Sequence, residues 1–269
     1  MTRDDILNLA QRIARGHELT PDETRRLADD DTPLDDLIPA ASALTRRVRG
    51  GQIEFCSIVN ARSGRCPNDC AFCAQSAHFD TAAPIYDLLD VDEIVAAARD
   101  AAASGACRFS LVTSGPAVDD GADFDRICQT IYKLAGLELC SGGIFGLGET
   151  WEDRLDMAAA LRELTVDAVA LNFLVPIPGT PLEHQQTLHA DEALRIIALY
   201  RFIFPRAAIK LCGGREAVLR DRQPDMFAAG ADGAIIGNYL TTPGRPPADD
   251  LDMAAALGLH VRRPEQEQT

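Results

Sequence analysis

The residues most able to do chemistry in this chain are three cysteines in a short segment, Cys66, Cys70 and Cys73. Pro67 and Asn68, which lie between them, favour a turn over a helix. Three cysteine thiolates can hold three corners of an iron–sulfur cubane and leave the fourth iron open for another molecule. The spacing therefore indicates a [4Fe-4S] cluster with one accessible iron.

Two other interpretations of this cysteine loop stay open. Free cysteine packs as a small hydrophobe, so the thiols could be inert core residues. A structural zinc site needs four ligands, and His78, five residues beyond Cys73, is a side chain of the right type. In a cytoplasmic chain, three thiols this close together favour metal binding over plain packing.

The composition restricts the partners and the location. The net charge of −15 argues against nucleic acid, whose binding depends mainly on Lys and Arg. No apolar run approaches the roughly 20 residues that cross a bilayer, and the acidic start of the chain does not resemble a signal peptide. We therefore expect a cytoplasmic protein without membrane segments, whose eight cysteines are thiols and metal ligands, not disulfides.

Two kinds of pattern surround the cysteine loop. Residues 1–52 predict a helical arm, with helix-start signals at Thr20 and at Thr32. From residue 53 onward, short apolar strands without polar alternation are interspersed with helices, which is typical of a parallel sheet covered by helices. The predicted strands are 53–60, 108–114, 137–142, 167–175, 207–213 and 233–238. The predicted helices are 91–105, 122–136, 150–164, 191–204 and 216–230, the last one broken at Pro224.

The number of strand–helix units favours an incomplete barrel. A full eightfold barrel takes about 250 residues, and only residues 53–269 follow the arm. We predict an α/β fold with two parts: an N-terminal helical arm (1–52) and an incomplete TIM-type (βα) barrel of about six parallel strands (53–269). The strand at 137–142 is expected to lie between those at 108–114 and 167–175. The cysteine loop follows the first strand, where such folds place active sites.

The C-x3-C-x2-C spacing, with an aromatic residue before the last cysteine, is the signature of the radical S-adenosylmethionine superfamily. The surrounding sequence resembles the biotin synthase family from about residue 5 to residue 260. The matching segments are NARSGRCPNDCAFCAQSAH (60–78), CSGGIFGLGETWEDRL (140–155), LNFLVPIPGTPLE (171–183), KLCGGRE (210–216) and GAIIGNYLTTPG (233–244).

This resemblance implies a sulfur-inserting enzyme with two clusters. A [4Fe-4S] cluster on the loop thiols would bind S-adenosyl-L-methionine, and an electron from a flavodoxin- or ferredoxin-type donor would cleave it to methionine and a deoxyadenosyl radical. That radical would abstract hydrogen from dethiobiotin. A second iron–sulfur cluster, of the [2Fe-2S] type, would supply the sulfur of the biotin ring. We also expect a homodimer.

Several cofactor and substrate contacts follow from the resemblance alone. Phe72 matches an aromatic residue near the adenine, and Asn172 matches a substrate-contacting asparagine. A glycine-rich segment is implied to lie beside the adenosyl group. Without the resemblance, the glycine-rich segment is equally consistent with a strand-to-helix turn capped at Thr150. A lone asparagine such as Asn172 more often caps a loop. The matching residues of the segment are Gly142, Ile144, Gly146 and Glu149.

The implied second cluster departs from the family pattern of three strand cysteines and one arginine. Cys140 and Arg215 match one cysteine and the arginine. Ser110 stands where another cysteine is expected, and Cys107, three residues earlier, falls on the opposite face of a strand. The other cysteines outside the loop are Cys56 and Cys212, on strands that line the barrel interior or pack in the core, and Cys128, in a predicted helix.

A segment of the family is missing after Cys140. In the family, two further strand–helix units separate a strand reading GLELC from a second strand ending in CSGGI, whereas here the two are fused. At about 30 residues per unit, roughly 60 residues are absent, including polar side chains that contact both S-adenosylmethionine and dethiobiotin. We therefore expect impaired activity. The alternatives are a related radical enzyme of the maturase or methylornithine-forming kind and a non-catalytic iron–sulfur or zinc remnant.

Alanine at Cys66, Cys70 or Cys73 is expected to remove the cluster from anaerobically reconstituted protein, because each thiolate holds one iron. The measurements are iron content and the broad visible absorption of the cluster. Cys128→Ala, in a predicted helix, is the control and should keep its iron. Full iron retention in all three loop variants would contradict the assignment.

Overall fold

The computed structural model describes residues 1–115 and 140–262. The predicted helix 122–136, Cys128 and the first half of the predicted strand 137–142 therefore lie outside the described residues. Within the described ranges, three helices precede a parallel sheet whose connections are mainly helical.

The N-terminal helices are α1 (Arg3–Ala14), α2 (Pro21–Ala28) and α3 (Leu34–Arg49). The predicted start at Thr20 is confirmed, with a reciprocal capping box. The predicted cap at Thr32 is wrong. Pro33 occupies the cap position, and the Thr32 hydroxyl instead donates to the Arg26 carbonyl at 2.7 Å. Helix α3 stops at Gly50, which adopts a left-handed conformation that favours glycine.

Six strands follow one another in a single parallel sheet, in the order β2-β1-β6-β5-β4-β3, and a short seventh strand also pairs with β1. The incomplete barrel of six parallel strands is thereby confirmed, and so is the helix break around Pro224. The strands are β1 (Gln52–Arg62), β2 (Arg108–Thr113), β3 (Cys140–Phe145), β4 (Ala168–Phe173), β5 (Ala208–Leu211), β6 (Gly233–Ile235) and β7 (His260–Val261). The helices are α4 (Val91–Ala103), α5 (Trp151–Glu163), α6 (Ala190–Ile203), α7 (Arg215–Leu219), α8 (Asp225–Ala228) and α9 (Pro247–Ala256), with a 3-10 turn at Arg220–Arg222.

One predicted neighbour in the sheet is wrong. β3 pairs with β4, as expected, but among the described residues it does not pair with β2, which pairs only with β1. β2 and β3 are thus the outer strands of the sheet that residues 1–115 and 140–262 form. A barrel closes only when strand number, tilt and stagger agree, and the described strands form part of such a barrel.

The register decides which side chains face the concave side of the sheet. Phe55, Leu171 and Leu211 belong to the large apolar core shared with the helices. Cys56, one residue on from Phe55, faces the other way and belongs to a separate small cluster with Ile235. Alternate residues of each strand point to the same side, so this small cluster marks the concave face.

The large core also includes the N-terminal helices, because α3 packs against α6. The division at residues 52 and 53 stays a prediction. A buried ion pair supports this junction: Arg201 on α6 lies 3.0 Å from Asp232, which also pairs with Arg49 of α3 at 2.5 Å. The second carboxylate oxygen of Asp232 accepts from the Ile209 amide of β5 at 2.7 Å. One carboxylate therefore joins two helices to the sheet.

Replacing Asp232 with alanine should lower the free energy of unfolding by about 3–5 kcal/mol, because it leaves the buried guanidinium of Arg201 without its counter-ion. Urea unfolding followed by circular dichroism measures the change. Asp225→Ala is the matched control, since its pair with Arg222 is exposed and should contribute less than about 1 kcal/mol. Equal effects from both substitutions would contradict the role given to Asp232.

Candidate active site

The cysteine loop begins after β1 and closes on itself through backbone hydrogen bonds. The Cys66 amide donates to the Gln75 carbonyl at 3.0 Å, and the Ala77 amide donates to the Cys66 carbonyl at 2.7 Å. Inside the loop, the Cys73 amide donates to the Cys70 carbonyl at 2.9 Å. These bonds hold the three cysteines in one closed loop at the carboxyl end of β1.

Two side chains fasten the loop further. The Ser76 hydroxyl donates to the Asn68 carbonyl at 2.6 Å, and His78 Nε2 lies 2.8 Å from the Pro67 carbonyl oxygen. Across the described residues, no three Cys, His, Asp or Glu side chains converge as they would around one metal ion. This geometry disfavours a zinc site that includes His78. A cubane distributes its cysteines over separate irons and so fits a more open arrangement of thiols.

The loop after β4 packs against the cysteine loop. The Leu182 amide donates to the Ala71 carbonyl at 3.4 Å. Gly179 has a φ of +85°, and a Cβ atom there would lie 1.9 Å from the Asp80 carbonyl oxygen, so this close approach requires glycine. Phe72, placed near the adenine by resemblance, is half-buried within the cysteine loop.

Polar atoms near the carboxyl end of β1 were not singled out from the sequence. Asn60 Nδ2 donates to Gln75 Oε1 at 3.3 Å and to the Leu240 carbonyl at 3.2 Å. Asn60 Oδ1 and the Ser63 hydroxyl are buried and have no hydrogen-bond partner among the described residues. Buried polar atoms without partners are costly, so these two are candidates for contact with a bound molecule. The only sequence signal was a polar run between a strand and the cysteines.

The glycine-rich segment occupies the end of β3 and the turn into α5. A Cβ atom on Gly142 would lie 1.9 Å from the Ala170 carbonyl oxygen, so glycine is needed for the close approach of β3 to β4. Gly146 has a φ of +93°, a conformation that side chains disfavour. Ile144 is half-buried and lies in register with Asn172. The segment therefore acts as a tight strand-to-helix turn, whatever it also binds.

Glu149 holds this turn from within. Its carboxylate accepts hydrogen bonds from the backbone amides of Gly146 at 2.9 Å and Leu147 at 2.7 Å, and it pairs with Arg154 at 2.9 Å. Burial by itself raises the pKa of Glu149, but the Gly146 amide and the Arg154 guanidinium more than offset it, so the pKa lies below its usual value. In these contacts Glu149 positions the backbone beside the expected adenosyl site.

Asn172 bridges two neighbouring strands. Its Nδ2 donates to the Gly143 carbonyl at 3.1 Å, and its Oδ1 accepts from the Gly213 amide at 2.9 Å. Since an asparagine amide has a second N–H and a second lone pair, these bonds leave capacity for a ligand. The sequence suggested either a structural or a substrate-binding role, and the observed bonds are structural.

The residues implied as ligands of a second cluster lie in separate parts of the structure. Arg215 is fully buried, and its Nη2 donates to Asp250 Oδ2 at 2.7 Å and to the Ile235 carbonyl at 3.2 Å. Cys140 is exposed at the start of the edge strand β3. Ser110 lies on the other edge strand, in register with Ile58. The described contacts of Arg215 therefore join it to Asp250 of α9, to Ile235 of β6 and to Gln223, and none reaches Cys140.

The concave face carries a group of charged side chains that was not predicted from the sequence. Glu54 pairs with Arg108 at 2.7 Å, with Arg262 at 2.9 Å and with Lys210 at 3.9 Å. Burial raises the pKa of Glu54, but hydrogen bonds from Arg108 and Arg262 outweigh it and lower the pKa to about 2. The available signal was a glutamate and a lysine inside otherwise apolar strands, IEFC and AIKL.

Three thiols accompany these charges on the concave face, and the Cys107 thiol next to β2 lies near the same charged side chains. Burial raises the pKa of Cys56 and of Cys212, and the neighbouring Cys140 adds to the rise at both. Lys210 acts in the opposite sense on Cys56, whose thiol it contacts. The three thiols are thus within electrostatic reach of one another.

Glutamine at position 149 should lower the free energy of unfolding by about 2 kcal/mol at neutral pH, because the charge-assisted bonds to two amides and Arg154 are lost. The folded pKa lies below the usual 4.5, so this stabilisation is complete above 4.5 and is lost as the pH falls through the folded value. Urea unfolding at several pH values measures both effects. Glu152→Gln, in the exposed first turn of α5, should change little at any pH, and an equal loss there would refute the assignment.

Comparison with known proteins agrees with this geometry. The profile of the radical SAM superfamily matches residues 61–173, and that of the Biotin and Thiamin Synthesis associated domain matches residues 170–260. Biotin synthase of Geobacter sulfurreducens is 42% identical over 320 aligned positions, which cover 95% of this chain and 97% of the relative. Biotin synthase of Pelotomaculum thermopropionicum is 39% identical over 317 positions, covering 94% and 98%.

The alignment length also bears on the missing segment. It spans 320 positions, whereas the chain has 269 residues, so at least about 50 positions of the relative have no counterpart here. The predicted internal deletion is confirmed.

Solved structures share the fold at low sequence identity. Methylornithine synthase superposes with a TM-score of 0.70 at 16% identity, covering 95% of this chain and 97% of the other. A maturase of the [FeFe]-hydrogenase gives a TM-score of 0.73 at 12% identity, covering 97% and 76%. These likenesses extend to the fold only. The sequence identity over nearly the whole chain, together with the closed cysteine loop on a parallel partial barrel, shows that this protein belongs to the biotin synthase family of radical S-adenosylmethionine enzymes.

Proposed function

We propose that this chain carries out the reaction of its family, the insertion of sulfur into dethiobiotin, with a [4Fe-4S] cluster on Cys66, Cys70 and Cys73. The observation that supports this most is the closed cysteine loop at the carboxyl end of β1. Once bound, the cluster and S-adenosylmethionine supply one-electron cleavage chemistry that lets hydrogen be removed from an unactivated carbon. The remaining tasks, positioning and exclusion of water, belong to the protein.

The loop residues fit such a cluster. Cys70 is exposed, and Cys66 and Cys73 are half-buried, so the thiols are accessible to iron. The backbone bonds that close the loop leave the three thiol side chains as the ligands. His78 is bonded to the Pro67 carbonyl, which disfavours a fourth protein ligand from this residue and supports an iron left open for S-adenosylmethionine.

The residues that would orient the two substrates lie around the same edge of the sheet. Phe72 and the backbone of Gly142–Gly146 would accommodate the adenosyl group, with Ile144 beside it and Glu149 holding the turn. Asn172, on the concave face, would contact dethiobiotin through the N–H that it does not use within the fold. Asn60 Oδ1, buried without a partner in the described chain, adds an acceptor to that wall.

The missing strand–helix units predict weak turnover. The absent units would have stood between β2 and β3. Holding two reactants in near-attack geometry is worth about 7–11 kcal/mol of barrier, and a radical site must also exclude water and other hydrogen donors. A site without one wall loses part of both effects. We therefore propose that cofactor binding survives while productive sulfur insertion is impaired.

The partners are proposed on the same basis. The family reaction requires dethiobiotin and a reductant, and we propose a flavodoxin- or ferredoxin-type donor, a homodimer and a cytoplasmic location. None of the described helices has the length and apolar character needed to traverse a bilayer.

The test is anaerobic turnover of the reconstituted chain with dethiobiotin and a chemical reductant, scored for 5′-deoxyadenosine and for biotin. We expect slow 5′-deoxyadenosine formation and little or no biotin, beside a full-length family member as the positive control. Cys66→Ala should form no 5′-deoxyadenosine, because its cluster is lost.

Two results would count against the proposal. If the chain holds its full loop cluster yet never cleaves S-adenosylmethionine, the enzymatic assignment fails. If the chain alone restores robust growth without biotin to a strain lacking biotin synthase, the proposal that the missing strand–helix units impair sulfur insertion fails.

A further inference from the structure

A groove of about 920 Å³ lies between α1 and α3 on the surface of the N-terminal arm. α1 lines it with Leu7, Ala10 and Ala14, and α3 lines it with Pro39 and Ala43. These side chains are small or apolar, and Pro39 and Ala43 are exposed. The groove is therefore a face of two helices that no other described segment of the chain covers.

The two helices that form the groove run in the same direction. Arg3, at the start of α1, pairs with Asp36, at the start of α3, at 3.9 Å. The amino group of Met1 also lies 3.1 Å from the Thr32 hydroxyl, just before α3. The starts of both helices therefore lie together at one end of the groove, and their last turns lie together at the other end.

The two ends of the groove carry opposite charges. Arg15, Arg46 and Arg47 line the end that the last turns form, and all three are exposed. Asp4 and Asp35 lie at the other end. They precede groove-lining positions of their helices by three and four residues, so they continue the same helix faces. Within residues 1–115 and 140–262, none of these five side chains has an ion-pair partner.

Charges elsewhere on the same helices are paired within the chain. Arg12 of α1 lies 2.7 Å from Glu23, and Arg49 of α3 lies 2.5 Å from Asp232. Acidic starts and basic ends are common in helices because they complement the helix dipole, but the dipole does not select one face of the helix. The unpaired charges on the groove face therefore favour a partner outside this copy of the chain.

A second copy of the chain matches this face by symmetry. A two-fold axis through the middle of the groove reverses the direction of both helices, so the acidic end of one copy meets the basic end of the other. Each contact is then made twice, as in a self-complementary dimer interface. The reversal also places helix starts of one copy beside helix ends of the other, where their dipoles attract.

We propose that the groove face of α1 and α3 is the interface of a homodimer, in which Arg15, Arg46 and Arg47 of one copy pair with Asp4 and Asp35 of the other. The apolar side chains between the charged ends would pack together near the two-fold axis. Each chain has a net charge of −15, and like-charged chains repel each other, so association requires a local basic region of this kind. The inference rests on the proposed function for the homodimer and adds the face that joins the two copies.

The experiment uses two complementary variants of the full, reconstituted chain. The acidic variant carries Arg46→Glu and Arg47→Glu, and the basic variant carries Asp4→Arg and Asp35→Arg. Each variant alone places like charges against each other across the interface, so its dimer dissociation constant should rise about 100-fold. Mixed in equal amounts, the two variants should form a heterodimer, because the ends that meet are again opposite in charge. Sedimentation equilibrium over a range of concentrations measures the masses.

The matched control carries Arg99→Glu and Arg220→Glu, at two exposed arginines outside the arm, and should dimerise like the unmodified chain. Circular dichroism checks that each variant is folded. A variant that does not fold is replaced by one with glutamine or asparagine at the same positions, whose dimer should still be weaker than that of the unmodified chain.

Four results would overturn the proposal: an unmodified chain that is monomeric at every concentration, folded variants that dimerise as well as the unmodified chain, a mixture of the two variants that stays monomeric, or a control that dissociates as readily as the variants. Sedimentation requires no turnover. Failure of the proposed sulfur insertion would therefore appear separately, as absence of S-adenosylmethionine cleavage.

Discussion

Strand β1 lies between β2 and β6, and its parallel hydrogen-bond ladders to both are the interaction on which the site depends. The strand leads directly into the cysteine loop and carries Glu54, Cys56 and Asn60 on its concave side. A shift of one residue in its register would turn all three side chains toward the helices. The ladders therefore set the position of the cluster loop and the chemistry of the wall beneath it at once.

The missing strand–helix units affect mainly β2 and β3, the outer strands of the described sheet. β2 and β3 each have one edge without a strand partner among the described residues, whereas both belong to a barrel in which parallel strands are normally covered or closed. An unpaired strand edge exposes backbone donors and acceptors, so within the described ranges these two strands are where the missing units have their effect. The cysteine loop is held by its own local hydrogen bonds and does not depend on these strand edges. A radical reaction, in contrast, requires a site that excludes water.

The concave face explains how polar residues are accommodated inside such a fold. Glu54 sits among three cations, and Arg215 is neutralised by Asp250. Buried charges persist only when they are paired and hydrogen-bonded. Asp250 also lies 3.6 Å from Arg245, so this carboxylate, like that of Glu54, faces more than one cation.

The sequence by itself determined what depends on near neighbours: the position of the cysteine loop after β1, the capped helix start at Thr20, the break at Pro224 and the parallel alternation of strands and helices. These follow from turn chemistry and periodicity within a few residues. Only the tertiary structure decided the neighbour of β3, the bonds of Asn172 to the neighbouring strand and to Gly213, and the pairing of Arg215 with Asp250. Such contacts join segments far apart in the chain, and their partners depend on register and on sheet closure, which local sequence does not specify.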